Sequence, residues 1–249
     1  MRRLHISAQE ERDFERRHIS SLRDRYVATD VLQRAQDDAG YKEKISLIEG
    51  AIRGIQGLIL DVGASTCGEA EVLSARGLSV VALDVNDVAL GISQERVRKF
   101  RDVGPRYVAG DAHRIPIRSG SVAAIVCFET LHHLEDPMTA LREIHRVLMP
   151  GGRVFLYEPY AYNPYRRISE LRDWFKGTIE KSFGEDQLRK LLTEAGFDVR
   201  YLARKLLPPS EWKRQNVHHL RRLLKDAYHG VSRVFPRVFG SLVAVAIKT

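Results

Sequence analysis

An apolar run that ends in an acid and breaks into small residues sets the tightest limit on this chain: Leu58-Ile59-Leu60-Asp61-Val62-Gly63-Ala64-Ser65-Thr66-Cys67-Gly68. A second apolar run, Val80-Val81-Ala82-Leu83, closes on another acid, Asp84. A strand, a small-residue turn, a helix and a strand ending in an acid about twenty residues on make the cradle of a nucleotide-type α/β fold. Which nucleotide it holds has to be argued from the turn's side chains. Gly63, Ser65 and Gly68 stand where a dinucleotide fingerprint places three glycines, and the middle one is serine.

A side chain at that middle position hinders the approach of backbone amides to a pyrophosphate. Asp61 at the strand end also repels a dianionic linker. A ligand with an adenosine and a cationic tail turns Asp61 into an asset. S-adenosylmethionine, with a sulfonium, an α-ammonium and no phosphate, is such a ligand.

The segment Asp61-Val62-Gly63-Ala64-Ser65-Thr66-Cys67-Gly68 resembles the first motif of class I S-adenosylmethionine-dependent methyltransferases, commonly Asp-x-Gly-x-Gly-x-Gly, with Ser65 and Cys67 in place of the second and third glycines. Val81-Ala82-Leu83-Asp84 is similar to the second motif, whose acid binds ribose hydroxyls, with Val85 beside it. Tyr107-Val108-Ala109-Gly110-Asp111-Ala112 is similar to the third, whose Asp reaches the adenine amino group. Phe128-Glu129-Thr130-Leu131-His132-His133-Leu134 and Glu143 to Gly152 look like the type 11 small-molecule branch, which includes ubiquinone- and menaquinone-pathway enzymes. The resemblance covers roughly 55–160 and implies a cofactor site at Asp61, Gly63, Ser65, Cys67, Gly68, Asp84, Val85, Asp111, Ala112, Phe128 and Glu129. It implies S-adenosylmethionine as cofactor and a small-molecule acceptor.

With 249 residues and 44% hydrophobic content, one α/β domain with additions is expected. No apolar stretch is long enough to span a bilayer, and the charged, Arg-rich start lacks a secretory core. Two cysteines cannot build a disulfide framework, so a cytoplasmic location is expected. The net charge of +8 is concentrated in one place. Residues 204–239 carry nine Lys/Arg against two acids, which is +7 of that total.

Residues 1–55 read as a polar helical cap, and 56–249 as the methyltransferase domain. Strands are expected at 58–62, 79–84, 105–109, 121–127, 152–158, 197–203 and 241–247, and helices near 67–76, 87–101, 136–149 and 184–195. The first five strands are short apolar runs, as in parallel strands buried on both faces. Right-handed crossovers then give a doubly wound, Rossmann-like seven-stranded sheet. It is mostly parallel, and the resemblance makes the last strand antiparallel. Residues 159–183 and 204–239 fall outside the alternation. Both are expected as lid insertions at the carboxyl edge, where open parallel sheets bind ligands.

Methyl transfer to an activated sulfonium needs positioning and exclusion of water, and a base only where the acceptor holds a proton at working pH. His132 and His133, just past strand four, are the candidates, with His133 favoured by the family pattern. Glu129 with this pair makes Glu-x-x-His-His, but with no fourth ligand no metal is assigned. Cys67 and Cys127, whose strands would be neighbours, read as buried thiols and not as a redox pair.

Two other readings stay open. An RNA methyltransferase would fit the basic segment and the first turn, but the Cys127-Phe128-Glu129-Thr130 turn lacks the residues of base methylation and no RNA-binding module is visible, so nucleic acid is not expected. A non-catalytic cofactor-binding protein would fit Ser65 and Cys67. Residues 204–239 also carry an amphipathic, basic helical pattern with Arg214, Arg221, Arg222 and Lys225, suited to an anionic or amphipathic acceptor or to peripheral contact with anionic lipid. Tyr160, Tyr162, Tyr165 and Arg166 would form the facing wall.

Overall fold

A computed structural model describes residues 8–164, 182–207, 230 and 239–249. Seven strands form one sheet in the order β3-β2-β1-β4-β5-β7-β6. They are β1 Ile59–Val62, β2 Val80–Asp84, β3 Arg106–Ala109, β4 Val122–Phe128, β5 Leu148–Pro159, β6 Phe197–Lys205 and β7 Ser241–Lys248. Only β7 runs against its neighbours, pairing antiparallel with both β5 and β6. The strand order reverses between β1 and β4, so Val62 sits beside Leu83 on one side and Cys127 on the other. That reversal opens the crevice in which doubly wound sheets take their ligands.

Alternation along the strands sorts side chains onto two faces. Leu60, Val62, Ile125, Cys127 and Leu156 pack with α7 (Pro137–Val147) and α8 (Glu185–Glu194). Ile59, Ala82, Ala124, Val126 and Phe155 pack with Ile48 and Ile52 of α4 (Ala39–Ile52) and with Ala70 and Leu73 of α5 (Gly68–Ala75). Cys67 and Cys127 therefore belong to opposite faces, although their strands are neighbours. Both are free and buried.

Residues 8–52 are largely helical: α1 Ala8–Ser21, α2 Arg23–Ala28, α3 Val31–Asp37 and α4. Short-range chemistry fixes their ends. Asp30 accepts from the Leu32 amide at 2.9 Å and Asp38 from the Tyr41 amide at 2.9 Å, satisfying first-turn donors of α3 and α4. Val31, Ala35, Tyr41 and Ile45 bury against Val72 of α5. Ion pairs Arg16–Asp87 (2.8 Å) and Arg23–Glu95 (2.5 Å) tie α1 and α2 to α6 (Asp87–Phe100).

Three expectations change. Leu148 and Met149 extend the apolar helical pattern in sequence but are strand. α7 stops at Val147, and β5 starts at Leu148 opposite Val122, with a register shift before Arg153 pairs Ala124. Strand β3 is an edge strand and only partly covered, not buried on both faces. Strand β6 runs to Lys205, so Arg204 and Lys205, read as the start of a lid, are paired to Leu242 and Ser241. Most of that basic segment, residues 208–229 and 231–238 with Arg214, Arg221, Arg222 and Lys225, lies outside the described residues, as do Tyr165 and Arg166. Among the described residues no helix is long and apolar enough to cross a membrane.

Candidate functional site

The carboxyl ends of β1, β2 and β4 bring most of the expected residues to one crevice. After Val62 the chain enters a turn with Gly63 at φ 71°, Ser65 at 47° and Cys67 at 54°. Gly63 is required there, because a methyl group in its place would run into Thr130. Ser65 and Cys67 hold the left-handed backbone that glycine adopts freely, at about 1–2 kcal/mol each. Among the described residues, the three non-glycine residues with positive φ are Ser65, Cys67 and Glu129 at the end of β4. All three border this crevice, where stored strain commonly marks function.

The acid of β2 braces the turn. Asp84 accepts from the Ser65 amide at 2.7 Å through one oxygen and from the Asn86 amide at 2.7 Å through the other. Burial lifts its pKa and these backbone donors pull it back, the net shift being upward. Val85 beside it is 41% exposed, so an apolar side chain lies open at the strand end. Asp111, after β3, accepts from the amide of His113 (2.8 Å) and from its Nδ1 (2.7 Å), and Ala112 is buried next to it.

Asp61 is different. Only 3% exposed, it carries an Oδ2 with no hydrogen-bond partner. Burial, with the neighbouring Glu69 carboxylate, pushes its pKa up to about 8, against the opposing pull of Lys44. The Ala70 amide serves the carboxyl, but a buried oxygen left without a partner is costly unless a cation or donor completes it.

Three side chains the sequence did not single out surround it. Lys44 of α4 pairs with Glu69 at 2.6 Å and lies over the Phe128 ring, 3.4 Å from its centroid. Phe128 in turn stacks on Tyr157, with centroids 4.2 Å apart. Burial resists ionisation of Glu69, but Lys44 holds its carboxyl below the usual value. Tyr41, one turn earlier on α4, is 4% exposed and its hydroxyl has no partner. That hydroxyl comes so close to Gly68 that a Cβ there would sit 2.7 Å from it. An unpartnered hydroxyl, an ammonium and the start of a helix thus meet close to a buried carboxyl with one unpartnered oxygen, an arrangement with groups of both signs.

On the other face, the turn after β4 is held by Glu158 of β5, which is fully buried. It accepts from the amides of Thr130 (3.0 Å), Leu131 (2.8 Å) and His132 (3.3 Å), and from His132 Nδ1 at 2.8 Å. His132 is buried, its ring 3.9 Å from that of His133, which is exposed. Of the two expected histidines, the one whose ring is held by a carboxylate is His132. Glu129 is exposed and its amide donates to Tyr157 O at 2.7 Å. Among the described residues no cluster of His, Cys, Asp and Glu suits a metal ion. Burial first, then Asp61 for Cys67 and Glu158 for Cys127, holds both thiols well above their usual pKa, so neither is a nucleophile near neutral pH.

Toward β6, Tyr160 and Tyr162 meet edge to face at 5.5 Å, and the Arg204 guanidinium lies 5.1 Å from the Tyr160 ring. Arg204 pairs with Glu185 (2.6 Å) and Lys205 with Glu43 of α4 (3.0 Å).

A family model described as a methyltransferase domain matches residues 60–156. The chain is 31% identical over 144 residues to demethylmenaquinone methyltransferase of Renibacterium salmoninarum, a match spanning 57% of each chain. It is 25% identical over 181 residues to ubiquinone biosynthesis O-methyltransferase of Pseudomonas aeruginosa, spanning 70% of each. In fold it is similar to magnesium protoporphyrin IX methyltransferase of Synechocystis, solved with SAH bound, with a TM-score of 0.65 at 15% identity, covering 98% of this chain and all of that one.

Proposed function

We propose that this chain, whose residues 60–156 match a methyltransferase-domain model, is a class I S-adenosylmethionine-dependent methyltransferase acting on a small molecule of the quinone-precursor kind, a reading supported by its similarity to quinone-pathway methyltransferases. The observation that carries the cofactor half of this reading is the buried Asp61 carboxyl, one of whose oxygens has no hydrogen-bond partner, close to Lys44, with the Tyr41 hydroxyl at the start of α5. That donor set fits an amino-acid tail. Asp61 would take the α-ammonium. Tyr41, Lys44 and the first amides of α5 would take the carboxylate. Asp84, with the turn Gly63–Gly68, would hold the ribose, and Val85, Asp111 and Ala112 the adenine, with Phe128 and Glu129 closing the side wall.

S-adenosylmethionine, when bound, supplies a methyl group already activated on sulfur. The protein's own work is to orient the acceptor, exclude water and take up a proton. Glu158 accepts a hydrogen bond from the His132 Nδ1–H, which fixes the tautomer that leaves Nε2 free to take a proton, so His132 is the base for a hydroxyl or acidic carbon, with His133 beside it at the entrance. An aromatic, anionic or amphipathic acceptor is supported by the relatives' names, by Tyr160, Tyr162 and Arg204 in the described wall, and by the +7 charge of residues 204–239.

The experiment is to incubate the protein with S-adenosylmethionine and a panel of aromatic hydroxy-acids and quinols, and to look by mass spectrometry for the added mass of one methylene. Methylation of RNA with no product from the panel would overturn the acceptor class. For the tail-binding residues, Tyr41→Phe should weaken S-adenosylmethionine binding about three- to tenfold, the worth of one hydrogen bond. Binding of 5′-methylthioadenosine, which lacks the amino-acid tail, should stay unchanged. Equal losses for both ligands would remove Tyr41 from the carboxylate.

A further inference from the structure

We propose that Arg96 is a positioning residue that replaces the missing glycines of the cofactor turn, and that it makes docking of the N-terminal helices part of cofactor binding. The proposal rests on the cofactor reading above. Arg96 lies on α6, 1% exposed, and its guanidinium spends its donors in three directions. Nε and Nη2 grip Glu71 of α5, at 3.0 and 2.6 Å to Oε1. Nη2 also donates to the carbonyl of Thr66, the residue between Ser65 and Cys67. Nη1 donates to the carbonyl of Tyr26 in α2, at 3.2 Å.

Arg96 is itself fixed. Glu71, fully buried, also accepts from Ser93 Oγ at 2.5 Å and from Arg101 Nη1 at 3.1 Å. Arg101 Nη2 reaches Asp30 at 2.9 Å, the same carboxylate oxygen that caps α3. A chain of charge therefore runs from the cap helices through α6 and α5 to one peptide of the turn. Removing a pair of charges from water is justified only where many hydrogen bonds satisfy them, as here.

The turn needs such a clamp. With glycine at positions 65 and 67, φ near +50° would be freely accessible. With serine and cysteine, the intrinsic preference lies elsewhere. If the turn relaxed to negative φ, the Ser65 amide would leave Asp84 and the start of α5 would lose its aim at the ligand. Holding the Thr66 carbonyl between the two strained residues opposes that relaxation. Because the same guanidinium holds Tyr26, undocking of the cap would loosen the turn as well.

The test uses the full chain and two measurements, calorimetric affinity for S-adenosylmethionine and hydrogen exchange of the turn amides in the free protein. Arg96→Lys keeps the charge beside Glu71 but cannot span three acceptors. It should weaken binding about tenfold or more and speed exchange at Ser65 and Cys67. Adding Ser65→Gly and Cys67→Gly to Arg96→Lys should restore affinity to within about threefold of the wild type. Full affinity in Arg96→Lys would overturn the proposal. So would a loss that the glycines fail to repair, since that would mark Arg96 as ordinary core support. If Arg96→Lys does not fold, Glu71→Gln loosens the same clamp and carries the same expectation of glycine rescue. Wild-type protein that binds no S-adenosylmethionine overturns the cofactor reading itself, an outcome distinct from either result above.

Discussion

Glu158→Ala should cut turnover about a hundredfold or more and destabilise the fold by roughly 3 kcal/mol. Both effects come from one carboxylate. Glu158 is fully buried and accepts three backbone amides and the His132 ring, so its loss strands four donors away from water. Each stranded donor costs about 1–3 kcal/mol before local relaxation. The kinetic effect is separable in Glu158→Gln, which keeps the shape and one acceptor oxygen but offers the histidine an amide. The ring then loses the partner that fixes its tautomer, while Asp84 keeps its bonds to the Ser65 and Asn86 amides and Lys44 its pair with Glu69. The expected pattern is a large fall in kcat with nearly unchanged affinity for S-adenosylmethionine. Normal turnover in Glu158→Gln would remove His132 from any base role.

Asp61 should make both stability and cofactor affinity depend on pH. Its folded pKa stands at about 8, against an unfolded value of about 3.9. Between those values the folded state binds more protons than the unfolded one, so stability of the free protein falls as pH rises from about 4 to 8, and is insensitive to Asp61 below that window. The slope approaches 1.4 kcal/mol per pH unit where the difference is a full proton. Asp84, also raised by burial, adds a slope of the same sign. A cation at Asp61 favours its ionised form, so binding near pH 7 should release close to one proton and tighten as pH rises toward 8. Calorimetry in two buffers of different ionisation enthalpy reads that proton directly. Asp61→Asn should abolish the release and weaken binding about ten- to a hundredfold. Binding with no proton release at pH 7 would separate Asp61 from the cofactor's ammonium.

Much of this site was legible because strand-end acids announce themselves. Asp61 and Asp84 each terminate an apolar run, and the sheet order puts those ends side by side. Glu158 carries the same signal, since Val154-Phe155-Leu156-Tyr157 leads straight into it, yet its role emerges only when β5 lies beside β4 and reaches a turn 26–28 residues earlier. Tyr41 and Lys44 were hidden for a different reason. Their one-turn spacing on α4 is common to any polar helix, and what they face is decided by docking of the cap. Nothing in the spacing of the 87–101 helix marks Arg96, and only tertiary packing shows it buried against Glu71. The end of α7 misled because Ile144, Val147 and Leu148 keep a helical spacing while Leu148 already pairs with Val122.

The most direct test of the account is titration of the intact chain with S-adenosylmethionine by calorimetry, beside its Asp84→Ala variant and beside NAD. Saturable one-to-one binding is expected, weakened by about 1.5–3 kcal/mol in Asp84→Ala, the worth of hydrogen bonds to a charged group. NAD should give no comparable binding, because its pyrophosphate would meet Ser65 and Asp61. Unchanged affinity in Asp84→Ala, or preferential binding of NAD, would contradict it.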